Sequence, residues 1–163
     1  MINHFKKISI RGRLAYGAMC LEKTLQSLHV DNFLLKSLVL PKIWSFTESS
    51  HLDLWDKEIN EIGPVCILNV TTPSKNPELK ELYINLPDEI AQQISDVIEI
   101  GTSNLYGGTG KDFPYTLKPL ERVINRCKRL NVPLPDVFPI SKAPFTEEHG
   151  WGKEQVKEYY YSN

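Results

Sequence analysis

Cysteine and methionine are scarce in this chain, long apolar runs are missing, and the charges nearly cancel. Three cysteines and two methionines stand among 163 residues. Cys20, Cys66 and Cys127 are odd in number, far apart and set among apolar neighbours. That pattern excludes a disulfide framework or a cysteine-rich metal site, and reduced, buried thiols are expected. The longest apolar stretch, 33–40, is interrupted by Lys36 and Ser37 and falls far short of the roughly 20 residues of a membrane helix. Lys6 and Lys7 are followed by neither an apolar segment nor a small-residue cleavage site, so no secretory signal is read and a cytoplasmic location is expected. Without such a signal the sequon Asn69-Val70-Thr71 has no consequence. His4, His29, His51 and His149 are scattered and form no His-x-x-x-His pair, and neither a metal nor a cofactor is expected. Gly108-Thr109-Gly110-Lys111 comes near a phosphate loop. However, Leu105 occupies the first glycine position and Asp112 the position of the magnesium-binding hydroxyl. We read this run as a helix-to-helix linker.

The net charge of −1 conceals a strong segregation. From Glu48 to Glu99 there are eleven acidic and three basic residues, whereas residues 1–47 carry seven basic and two acidic ones and residues 100–163 carry nine and seven. A separation of this kind steers an oppositely charged partner without determining a fold.

A chain of this length buries a core without a covalent staple, and its apolar and aromatic content is that of a globular protein. Leu14, Ala18, Leu21, Leu25 and Leu28 recur at steps of four and three, which predicts a buried helix over 14–28; Gly12 and Gly17 would let a neighbouring backbone approach it. Asp31 is placed as N-cap of a second helix carrying Phe33, Leu34, Leu38, Ile43, Trp44 and Phe46, kinked at Pro41. Ser49 or Ser50 would cap a third, with Leu52, Trp55, Ile59 and Ile62 inward and Gly63-Pro64 as its stop. Residues 65–74 read as a loop or short strand, and 77–85 as a brief helix. Pro87 opens a longer helix with Ile90, Ile94, Val97 and Gly101, ending near Tyr106. After the glycine break at 107–110, Thr116 or Leu117 begins a last helix bearing Leu120, Val123, Ile124, Cys127 and Leu130. Pro133, Pro135, Pro139 and Pro144 then forbid continuous helix, so an extended tail anchored by Leu134, Val137, Phe138 and Phe145 is expected, fraying from Lys153 onward. The expected fold is all-α: one domain over 1–163, a bundle of five or six helices with a proline-rich extended segment over 131–163 packed on it.

Asp53 with Asp56, and Asp96 with Glu99, lie one helical turn apart, as an acid–base pair would, but such pairs are far more often solvated helix faces, and no enzyme is expected. Lys6, Lys7, Arg11 and Arg13, with Arg122, Arg126, Lys128 and Arg129, are the clusters a nucleic acid would need. They are small beside the acidic stretch, and no direct nucleic-acid binding is expected. The acidic segment with Trp44, Trp55 and Tyr106 is either a solvated surface over core aromatics or a protein-binding face whose carboxylates pair with a basic partner.

Three stretches resemble a group of small bacterial proteins: Arg13-Leu14-Ala15-Tyr16-Gly17-Ala18-Met19-Cys20-Leu21-Glu22; Ile43-Trp44-Ser45-Phe46-Thr47 with Leu52-Asp53-Leu54-Trp55; and Ile98-Glu99-Ile100-Gly101-Thr102 with Leu105-Tyr106. Pro133-Leu134-Pro135-Asp136 and Gly150-Trp151-Gly152 look like the same group. It comprises immunity proteins of polymorphic-toxin and contact-dependent growth inhibition systems, particularly a mostly helical type paired with EndoU-like ribonuclease toxins. The resemblance implies a cytoplasmic protein that neutralises a cognate toxin domain, a basic ribonuclease, by stoichiometric binding. Joined to the charge pattern, it points to Glu48, Asp53, Asp56, Glu58, Glu61, Asp96 and Glu99 as the partner-binding face, with Asp53 and Asp56 foremost. The glycine loop and the proline-rich tail are other possible contact surfaces, and a helical adaptor or a hydrolase using buried carboxylates are the rival functions.

Overall fold

Ser9 starts the central element. Its hydroxyl accepts from the Gly12 N–H at 3.2 Å and caps a helix over Ile10–Ser27 that is buried on all sides along its first three turns. The computed structural model describes residues 2–69, 76–106 and 113–162. Among these the secondary structure is helical, with no strand: α1 (Ile2–Phe5), α2 (Ile10–Ser27), α3 (Leu40–Glu48), α4 (Leu52–Ile62), α5 (Pro64–Asn69), α6 (Pro77–Asn85), α7 (Asp88–Thr102) and α8 (Pro114–Arg129). The fold is a single all-α domain with eight helices among the described residues, two more than the upper expectation because α1 and α5 are short turns of helix without a periodic apolar stripe of their own.

The second and third elements depart from expectation in their details. Asn32, not Asp31, begins the second: its Oδ1 accepts from the N–H groups of Leu34 and Leu35 at 2.9 and 3.2 Å, while Asp31 pairs with Lys36 at 2.7 Å. The chain winds as a π-turn over Leu35–Val39 before α3, which absorbs Pro41 into its first turn. Phe33, expected inside, is 78% exposed. His51 is the N-cap of α4 and makes no side-chain capping bond, whereas Ser49 Oγ accepts from the His51 N–H at 3.1 Å. Residues 65–69, expected as part of a loop or short strand, are helical in α5, because Pro64 is preset for a first helical turn and Ile67 turns into the core. The remainder of that segment and the glycine break lie outside the described residues.

α2 packs against α3, α7 and α8. Gly17 lets α7 approach closely: a Cβ there would stand 2.8 Å from Ile100 Cδ1 of α7. α8 begins at Pro114, ahead of the expected start, behind Phe113 at φ 41°.

The tail does not fray among the described residues. It pairs with Lys7 and Ser9 in a single bridge, with Phe145 N–H donating to Lys7 O at 2.8 Å and Ser9 N–H to Ala143 O at 2.9 Å. Gln155 N–H then donates to Thr47 O at 2.8 Å, and Tyr160 is fully buried. Its apolar anchors are Val132, Ile140, Ala143 and Tyr160, with Leu134, Val137, Phe145 and Trp151 partly buried; Phe138 is 64% exposed.

Two arginines set these junctions. Arg13 is completely buried and donates to Phe5 O at 2.9 Å, Phe113 O at 3.1 Å and Thr116 Oγ1 at 2.7 Å, with its guanidinium over the Phe145 ring. Arg11 donates to Gly152 O at 3.1 Å, Ser49 O at 2.9 Å and Phe46 O. Both were candidates for a nucleic-acid cluster, and both face inward instead. Replacing Arg13 by methionine preserves most of the volume but orphans several buried acceptors, so urea unfolding is expected to register a loss of about 3 kcal/mol or more.

Candidate functional site

The seven acidic residues of the expected partner-binding face divide into two sets. α7 carries Asp96 and Glu99 toward α8, because Val97 and Ile100 on the neighbouring positions point into the core. Asp96 is only 7% exposed, and its carboxylate accepts from Arg122 Nε at 2.6 Å and from Arg126. Glu99 accepts from Arg122. Glu89 accepts from Arg126 at 2.9 Å and Arg129 at 2.7 Å, and Gln92 Oε1 from Arg126 at 3.3 Å. Asp96 is therefore an internal ion-pair residue and not part of an open face. The same network engages three of the four basic residues in the second candidate nucleic-acid cluster. The two helices put these charges together across the chain, and the guanidinium donors offset the desolvation of the buried carboxylate.

The second set lies on and around α4. Asp53 and Glu61 are exposed, Asp56 is half-buried beside Asn60, and the neighbouring Leu54 is 50% exposed. Glu58 pairs with Lys42 at 2.6 Å, and Glu48 sits exposed at the end of α3, near Lys157 and Trp44. Among the aromatics expected nearby, Trp44 and Trp55 are core residues, their indole N–H groups donating to Glu22 and to Lys42 O. Tyr106, in the turn that follows α7, is 80% exposed, and its hydroxyl donates to Asp56 Oδ2 at 3.3 Å.

Beside this face an open cleft of about 880 Å³ lies between the start of α4, the turn at Leu105-Tyr106 and the tail. Asp53 and Tyr106 form one wall, Glu148, His149, Trp151 and Glu154 another, and Arg11 lies at its base. The tail wall is an unusual turn: Glu148, His149, Gly150 and Gly152 have φ of 44°, 54°, 97° and 82°. Gly150 is tightly enclosed, since a Cβ would stand 2.5 Å from Phe113 and 2.7 Å from Phe145. That close seating turns Glu148 and His149 outward into solvent. Of these tail residues the sequence marked His149, among the scattered histidines, and the Gly150-Trp151-Gly152 pattern, with the tail as a whole an alternative contact surface; Glu148 and Glu154 were not singled out. Among the described residues no three His, Cys, Asp or Glu side chains are grouped so as to hold a metal ion, and no helix is long and apolar enough to cross a membrane.

The arrangement supplies exposed carboxylates, one exposed tyrosine and an apolar side chain next to a concavity, which suits recognition of cationic side chains. Comparison with protein-family models, with curated proteins and with solved structures finds no match for this chain.

The ion network has two measurable consequences. Asp96→Asn takes from Arg126 the buried one of its two carboxylates, leaving Glu89, and is expected to cost about 3 kcal/mol in chemical unfolding, with Asp96→Leu/Arg126→Met costing less than the sum of its parts. Glu89 is held below the usual carboxylate range, first by the Arg129 hydrogen bond and then by Arg126, against an opposing effect of desolvation. Its contribution is complete above the unfolded carboxylate value of about 4.3 and is lost as pH falls through the lower folded value. Glu89→Gln should therefore flatten the acid limb of a stability–pH curve and leave its neutral region with the smaller change in slope.

Proposed function

We propose that this chain is a cytoplasmic immunity protein that binds and neutralises a cognate bacterial toxin, a basic ribonuclease of the EndoU-like kind, by stoichiometric contact without turnover. The observation that carries this reading is the α4 surface. Asp53, Asp56 and Glu61 stand there with Leu54 and Tyr106, while the arginines that would have neutralised them sit in the interior or in the α7–α8 network. Carboxylates flanking an exposed tyrosine are the composition of a binding face for a basic protein: the charges steer the encounter, and the aromatic ring supplies contact area. The resemblance of the α2, α3–α4 and α7 segments to immunity proteins supports the same conclusion. A ribonuclease cleft selects for phosphates, and a row of carboxylates offers it a comparable charge pattern.

Within this reading the face contracts around Asp53, Asp56, Glu61, Leu54 and Tyr106, with Glu48 and Glu58 at its border. The open cleft would receive a protruding lysine or arginine of the toxin beside Asp53 and Glu148. A hydrolase using buried carboxylates is the weaker reading, because the buried Asp96 is neutralised by two guanidiniums.

The test is co-expression with the toxic domain encoded beside this gene, followed by co-purification. Growth rescue and a 1:1 complex are expected. Asp53→Lys/Asp56→Lys should weaken binding at least tenfold and flatten its salt dependence, and Tyr106→Ala should act mainly on dissociation. Glu78→Lys/Glu81→Lys, on α6, should leave affinity close to that of the parent. Equal binding by the α4 and α6 variants would rule out the acidic-face model.

A further inference from the structure

The tail is held in two different ways on either side of Gly152. Before it, main-chain bonds fasten the segment to the start of α2: Ser9 N–H donates to Ala143 O at 2.9 Å, Phe145 N–H to Lys7 O at 2.8 Å and Arg11 N–H to Trp151 O at 3.1 Å. Arg11 Nε adds a bond to Gly152 O at 3.1 Å. Gly152 itself, at φ 82°, is pressed onto Ser9, since a Cβ there would stand 2.4 Å from Ser9 Oγ. Beyond it, residues 153–162 hold one short 3₁₀ turn, Lys157–Tyr160. Among the described residues a single main-chain to main-chain bond joins this stretch to the rest of the protein, from Gln155 N–H to Thr47 O at 2.8 Å.

Side chains hold the remainder. Glu22 of α2 is the main anchor: it accepts from Trp44 Nε1 at 3.0 Å, from Lys157 Nζ at 2.5 Å and from the Tyr161 hydroxyl. The Lys157 ammonium also lies 5.0 Å from the centre of the Trp44 ring and 5.7 Å from that of Tyr161. Further along, Lys142 Nζ donates to Ser162 O at 2.6 Å. Tyr160 is fully buried, but its hydroxyl has no hydrogen-bond partner, which sets a desolvation cost against the burial of its ring. A segment with a few side-chain anchors and little main-chain pairing opens at a lower free energy than a packed helix. Lys153 and Glu154 belong to this segment and also line the open cleft, where the Glu154 carboxylate stands 3.9 Å from the Arg11 guanidinium.

We propose that residues 153–162 form a strap that releases from α2 and α3 as one unit, hinged at Gly152, while the helices and the tail before the hinge stay folded. Release breaks the Gln155–Thr47, Lys157–Glu22 and Tyr161–Glu22 contacts together, because one short turn around Tyr160 joins them. It withdraws Lys153 and Glu154 from the cleft and takes from Arg11 its ion pair. The cleft therefore has two forms: one with carboxylates on both walls and the strap docked, and one that has lost part of its tail wall. The regulatory consequence rests on the proposed function. A toxin cation seated against Glu154 favours the docked form, and by linkage docking favours the toxin.

The experiment is hydrogen exchange by NMR on the full chain in increasing, sub-denaturing urea, with the Gln155 amide as reporter. Gln155 is expected to exchange through an opening at least about tenfold more populated than the one that exposes the Ile94 and Val97 amides of α7, and with a markedly smaller urea dependence. Glu22→Gln removes the charge beneath Lys157 but keeps an acceptor for Trp44, and should speed Gln155 exchange at least about fivefold. Asp96→Asn weakens a network that the strap does not touch. It should speed the α7 amides and leave Gln155 within about twofold of the parent. Gln155 exchange with the free energy and urea slope of the α7 amides, or acceleration in step with them in Asp96→Asn, would overturn the proposal. So would an unchanged Gln155 rate in Glu22→Gln. All of these readouts are made without toxin, so the strap and the proposed function fail separately.

Discussion

Two guanidiniums buried at the start of α2 are the constraint on which the remaining architecture depends. An arginine taken from water loses hydration worth several kcal/mol and is tolerated only where its donors are satisfied. Burial lowers the pKa of Arg11 from its usual value, yet that value is high enough for it to remain charged. Its acceptors come from the end of α3, the following turn and the tail, while those of Arg13 come from α1 and the start of α8. Each of these segments ends in carbonyls that have no helical partner. The arginines therefore solve two problems at once: their own desolvation and that of the chain ends gathered around them. The position of the tail across α2 follows from the same bonds, and with it the wall of the open cleft.

Charge that is segregated along the chain becomes largely paired in space. α7 is acidic and α8 basic on their facing sides, so the −8 of the middle segment is partly cancelled by arginines about thirty residues later. Among the described residues, the carboxylates without an ion pair include Asp53, Asp56 and Glu61 on α4 and Glu78 and Glu81 on α6, while Lys42 reaches Glu58. A surface charge pattern of this kind is a remainder after internal pairing, and it is the remainder that a partner meets. The strained turn at 148–152 sits next to it, held by the tight seat of Gly150 between Phe113 and Phe145.

The interior is not uniformly apolar. Gln93, Thr24, Cys20 and Cys127 form a small polar cluster where α2, α7 and α8 meet, close to Arg126 and Asp96. Hydrogen bonds between such groups gain strength in a low-dielectric setting, and an unpaired member costs correspondingly more. This places both the ion network and the polar cluster at the joint that carries most of the helix packing.

The periodic helices were legible from residues alone: the stripe from Leu14 to Leu28, the α4 pattern of Leu52, Trp55, Ile59 and Ile62, and the α7 and α8 stripes all correspond to observed elements, because an apolar spacing of three and four has one low-energy solution in a buried setting. Asp53 and Asp56 were likewise placed on an accessible helix side by that spacing. The short α5, the π-turn and the docking of the tail beyond Lys153 were not legible, since their conformation is set by contacts with distant residues and not by a local repeat. Whether a charge is free or paired was also beyond local reading: Asp96 and Asp53 are the same residue type on amphipathic helices, and only the approach of α8 separates an internal ion pair from a surface carboxylate. Sequence by itself determined the helical class, the core stripes and the acidic bias of the middle segment, all of which depend on neighbours within a turn or two. Tertiary structure alone decided which arginines are buried, which carboxylates remain open and where the tail docks, because Coulomb attraction, desolvation and hydrogen bonding depend on distances between segments that the chain order does not encode.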